Sequence, residues 1–141
     1  MAYKIKKSGR ITEELELLGE DCSTVLTLHI DINVDRIASS YRKEQITLMK
    51  AAKAAKNGSD EALELYGKAV TALFDLIFGE DNTAKLLEYF DGKYTDMSVK
   101  CFPFIRDVIE PAVKTAIDTQ KGVIAENYGL SRRQKRRLGI R

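Results

Sequence analysis

The spacing of apolar residues changes at Asn33, and that change decides what the chain can fold into. Before it, the period is two. In "STVLTLHIDIN" Leu26, Leu28, Ile30 and Ile32 fall on one side, and Thr27, His29 and Asp31 on the other. In "TEELELLG" Leu15 and Leu17 take one parity, Glu14 and Glu16 the other. Period two is the signature of a strand with one face buried, and "GEDC" at 19–22 suits a short hairpin connection. A two-stranded ribbon is marginal by itself, so this one must lie on something apolar or pair with another chain.

After Asn33 the period lengthens to that of a helix. Asn33 can cap a helix carrying Val34, Ile37, Tyr41, Gln45, Leu48, Ala52 and Ala55 in one stripe, with Ile46 and Met49 beside it. Asn57-Gly58 is a stop. Ser59 or Asp60 opens a second helix, whose broad apolar face runs from Leu65 and Tyr66 through Phe74 to Phe78, with Gly79 at its C-terminal cap. "DNTAKLLEYFDG" reads as a short third helix capped by Asp81 or Asn82.

The chain's two prolines, Pro103 and Pro111, bracket "PFIRDVIEP". The residue before a proline is driven toward extended geometry, so the last helix is expected to start at Pro103. Pro111 falls inside the stripe of Ile105, Val108, Ile109, Ala112, Val113 and Ile117, where it should kink that helix. The expected fold is α+β and mainly α, an N-terminal β-hairpin followed by about four helices with the last kinked at Pro111. Residues 11–129 form one domain, between a basic N-terminal segment at 1–10 and a basic tail at 130–141.

Composition narrows the function. Charged residues make up 31% and hydrophobic ones 44%, the mix of a globular protein. No apolar run reaches the ~18–20 residues of a membrane span, and "ITEELELLGED" after the basic start is no signal-peptide core, so a cytoplasmic protein is expected. Cys22 and Cys101 then read as reduced small hydrophobes. His29, the single histidine, has no partners at ligand spacing, and no phosphate loop, dinucleotide glycine pattern or serine elbow is present. Glu80 and Asp81 in "FGEDN" suit the positive end of a following helix. The expectation is a protein without catalytic residues, cofactor or metal.

The charge is unevenly laid out. The net charge is +2, yet ten of the 23 basic residues lie in 1–10 and 131–141, which hold no acid, leaving 13 against 21 acidic residues between them. The tail cations Arg132, Arg133, Lys135, Arg136 and Arg137 could neutralise phosphates. With no aromatic for stacking and an acidic body, docking on an acidic partner or on the chain's own body, or plain solubility, is the preferred reading.

Four segments together, "LHIDINVDRIASSYRK", "YGKAVTALFDLIFGEDN", "LLEYFDGKYTDM" and "FPFIRDVIEPAV", resemble a family of small tail assembly chaperones and tail proteins of long-tailed phages and prophages of low-GC Gram-positive bacteria. The likeness spans roughly residues 12–115. It rests on hydrophobic pattern and on Gly67, Gly79, Pro103, Phe104 and Pro111, whose roles read as structural. The resemblance implies a non-enzymatic role in virion morphogenesis in the bacterial host cytoplasm. There the protein would bind the tape-measure protein, assist assembly of the tail-tube protein around it, and could self-associate. The apolar helix faces near Tyr66, Phe74, Phe78 and Phe104, and the hairpin edge, are then the candidate protein-binding surfaces. The alternatives are a structural virion component, such as a neck or tail adaptor, and a small nucleic-acid-binding protein using the basic tail.

Overall fold

A computed structural model describes residues 10–128 together with Ala2, Arg136, Arg137 and Gly139. Strands β1 (Arg10–Leu18) and β2 (Thr24–Asn33) form an antiparallel hairpin. Five helical segments come after it: α1 (Val34–Ala55), α2 (Asp60–Phe78), α3 (Glu80–Tyr89), α4 (Tyr94–Phe104) and α5 (Glu110–Asn127), with a π-helical turn at Ile105–Ile109 between the last two. The mainly α fold with an N-terminal hairpin is as the periodicity predicts.

The hairpin places its apolar parity inward. Leu28, Ile30 and Ile32 are buried, as is Leu17, while Glu14, Glu16, His29 and Asp31 face out. Register runs from Arg10↔Asn33 to Leu17↔Leu26, and a bulge after Leu17 leads into the turn. Cys22 sits in that turn with φ +62 and is exposed, so it is no packing residue. Two hydrogen bonds tie the ribbon to α3: Asn82 Nδ2 donates to the His29 carbonyl, and the Tyr89 hydroxyl to the Leu18 carbonyl.

Asn33 ends β2 and caps α1, its Oδ1 accepting from the Arg36 N–H at 3.3 Å. Ser59 does the same for α2, accepting from the Ala62 N–H. Gly79, at φ +87 and ψ 155, closes α2 and opens α3: its N–H donates to the Asp75 carbonyl and its own carbonyl accepts from Thr83. Only glycine occupies that backbone region without strain. The α3 cap is therefore Gly79 rather than Asp81 or Asn82; Glu80 and Asp81 fall in its first turn, where their charge favours the helix N-terminus.

Helix α2 packs against α1, α3, α4 and β2. Val70, Leu73, Phe74, Ile77 and Phe78 fill the centre, joined by Tyr41 from α1, Leu86 from α3 and Met97 from α4. Gly67 is the close-approach point between α2 and α4. A Cβ there would come within 2.8 Å of the Tyr94 ring, which lies against the α2 backbone. Helix α5 lies along α1, and Gln45 Nε2 clasps Glu110 Oε1 at 2.8 Å between them.

The proline segment departs from expectation. The helix starts at Tyr94 and passes through Pro103, and residues 104, 105, 109 and 110 all keep right-handed helical dihedrals. Residues 94–127 are thus one helical run with both prolines inside it. The irregularity precedes Pro111: the Glu110 N–H reaches back to the Ile105 carbonyl, five residues earlier, and Pro111 stands at the first turn of α5, where a missing N–H costs least. Pro103 is exposed, and the faces on either side of it bury Met97, Cys101, Ile105 and Ile109. A helix-interior proline costs about 3 kcal/mol. Burying each of those side chains is worth about 1.5–3 kcal/mol, so packing overrides the proline's local preference.

Candidate functional site

The aromatic residues expected to form a binding face are in the interior. Phe74 and Phe78 are buried with ring centroids 5.3 Å apart, and Phe104 stacks on Phe78 at 5.9 Å while half-buried. Tyr66 is half-buried against the same core. The Phe78–Phe104 stack ties α2 to α4, while Phe74 and Phe104 each also reach the wall of a surface cleft or groove. Of the tail residues, Arg132, Arg133 and Lys135 lie outside the described residues, and Arg136 and Arg137 are exposed. Gly67 lets α4 approach α2, Gly79 joins α2 to α3, and Pro103 and Pro111 are helix-internal residues.

Apolar side chains do reach the surface elsewhere. Passing α4 through Pro103 turns Phe102 outward, 54% exposed, and Met49 on α1 is 65% exposed. Between them a cleft of about 280 Å³ opens among α1, α2 and the π-turn. Its walls are Leu48, Met49, Leu73, Phe74, Phe102 and Ile105, and its polar groups are Tyr41, Gln45, Ser98, Arg106 and Glu110. The Arg106 guanidinium lies 5.6 Å from the Phe102 ring centroid, one helical turn on, and its Nε donates to Asp107 Oδ1 at 2.8 Å. That contact holds the Arg106 guanidinium above its ordinary range and the Asp107 carboxyl below. The π-turn brings Phe102, Arg106 and Glu110 to the cleft together, and π-turns recur at functional positions.

Tyr41 is 1% exposed, and burial, with the Glu110 charge adding to it, pushes its phenol up to about 12. The Cys101 thiol is raised by burial to about 11, far from the thiolate a nucleophile needs. Among the described residues no group of three or more His, Cys, Asp or Glu could hold a metal ion, and no helix is long and apolar enough to cross a membrane. The sequence signal for the cleft was the set Ser98, Phe102 and Arg106, one helical face if the helix is allowed through Pro103.

Comparison with family models, with curated proteins and with solved structures finds no match to this chain.

Proposed function

We propose that the chain is a tail assembly chaperone of a long-tailed phage or prophage, a non-enzymatic protein that holds a segment of the tape-measure protein at the π-turn cleft. The cleft carries the reading. At about 280 Å³ it falls below the ~300–1,000 Å³ of small-molecule sites, a size suited to one large side chain from a partner. Its mouth presents an aromatic, a methionine and a stacked arginine, the residue types enriched where protein interfaces concentrate their energy. Methionine adapts its shape to irregular partners. The four segments resembling the phage family name the client, an elongated helical protein whose apolar face must be covered until the tube assembles around it. The protein then acts in the host cytoplasm.

The test is co-expression with the tape-measure protein of the same phage or prophage. The wild-type chain should co-purify with it and keep it in solution. Phe102→Asp, at an exposed position, should leave folding intact and weaken the complex by about thirtyfold or more, as expected at the centre of an interface. A wild-type chain that ignores the tape-measure protein, or a complex indifferent to Phe102→Asp, would sink the proposal. Finding the chain in finished virions by mass spectrometry would favour the structural-component reading instead.

A further inference from the structure

Among the described residues β1 pairs only with β2, so its other edge carries no strand. That edge borders a groove of about 690 Å³ formed with α3 and α4. Phe90, Cys101 and Phe104 line it beside Leu15 and Leu17, and its carboxylates are Glu14, Glu16, Glu20, Asp91 and Asp96 against the two ammonium groups of Lys93 and Lys100. An apolar groove with an acidic surplus beside an open strand edge fits an extended segment in which apolar residues alternate with cations. The chain contains one: "YKIK" at Tyr3–Lys6, which precedes β1 and complements the "ELEL" of Glu14–Leu17.

We propose that two copies of the chain pair along β1 about a two-fold axis, residues 3–6 of one copy lying antiparallel to residues 14–17 of the other. The register comes from the sequence. With residue numbers of each pair summing to 20, Tyr3 falls opposite Leu17 and Ile5 opposite Leu15, on the face that β1 turns toward the helices. Lys4 falls opposite Glu16 and Lys6 opposite Glu14, on the outward face. Each apolar position of the arm thereby meets an apolar one and each cation a carboxylate, and the two-fold gives each pair twice. A slip of one residue in either direction would set Lys4 against a leucine and Ile5 against a glutamate.

One contact is adverse. Arg10 lies on the axis and meets its own copy, but the Arg10 guanidinium is already held by Asp31 of β2 at 2.7 Å. Folding the arm back onto its own β1 is a poorer solution. A two-residue turn at Ser8-Gly9 puts Lys7 against Arg10 and apolar positions on the wrong face, and a three-residue turn at residues 7–9 sets Lys6 against Arg10 and leaves Tyr3 opposite Glu13. The second copy satisfies both faces at once. It also turns a marginal two-stranded ribbon into a four-stranded sheet.

Sedimentation of the full chain tests this, with two charge-reversed variants: Lys4→Glu with Lys6→Glu, and Glu14→Lys with Glu16→Lys. The wild type should be a dimer, and each variant alone should dissociate with a Kd raised by about tenfold or more. An equimolar mixture of the two variants should dimerise again, because each arm then meets the opposite charge on the other chain. That rescue is possible only in trans, and it certifies that both variants are folded. A wild type that stays monomeric, variants that dimerise as the wild type does, or a mixture that stays monomeric would each overturn the proposal; the last outcome is the one expected of an arm folded back on its own chain.

Discussion

Tyr41 and Cys101 are the two residues whose chemistry the fold changes most, and both changes act on stability. Each keeps its proton in the folded protein beyond the pH at which the unfolded chain loses it, from about 10 to about 12 for Tyr41 and from about 9 to about 11 for Cys101. Within those windows the unfolded state binds fewer protons, so stability falls as pH rises. It is fully present below about 9 and declines to about 12, by something on the order of 2–3 kcal/mol for each group. Urea unfolding monitored from pH 8 to 12 should show this alkaline decline. Tyr41→Phe should flatten its upper part and Cys101→Ala its lower part. A decline that neither variant alters would mean that these side chains are not held in the packed interior. The same burial makes Cys101 a poor target for thiol reagents in the native state, whereas Cys22, exposed in the hairpin turn, should react at once.

At the scale of elements, the legible part of the sequence was the local part. The alternation of Leu26, Leu28, Ile30 and Ile32, the Asn33 and Ser59 caps and the glycine at 79 each state their structure within a few residues, and these determine the hairpin, α1 and α2. The 94–127 run was illegible because its determinants compete: the proline at 103 argues locally for a break, while Met97, Cys101, Ile105 and Ile109 argue through burial for continuity. Burial wins on magnitude, and nothing near Pro103 announces it. The cleft was hidden for a related reason, since Tyr41 and Gln45 meet Phe102 and Glu110 only after α1 and the π-turn have packed. The π-turn itself holds one residue more than a regular helix would need, so that residue can be removed without rotating α5. Deleting exposed Asp107 should leave unfolding cooperative and cost no more than about 2 kcal/mol, typical of a change outside the core. It would reset Arg106 and Glu110 and abolish client binding. Deleting exposed Lys100, outside the π-turn, should rotate the helix beyond it by about 100°, drawing Ile105 and Ile109 off the core at about 1.5–3 kcal/mol for each side chain. Equal losses of stability in the two deletions would show that the π-turn is not an absorbed extra residue.

At the scale of the whole molecule, the buried core and the proposed pairing arm occupy different parts of the chain. Among the described residues every buried apolar side chain lies between Leu17 and Ala125, whereas the arm at Tyr3–Lys6 comes before the first strand. Intrinsic stability and self-association should therefore be separable by trimming. The fragment 10–128 keeps the hairpin, α1–α5 and their contacts, and should unfold cooperatively with a midpoint independent of its concentration. The full chain should match it when dilute and exceed it when concentrated, because dimerisation binds only the folded state and stabilises it by mass action. Urea midpoints of both forms across an about hundredfold range of concentration make the comparison. Parallel, flat midpoints would deny the arm any part in association. A fragment that fails to fold even when concentrated would move part of the fold's stability into the ends of the chain, and the hairpin, whose strands would then lack their outer partner, would be the element to look at first.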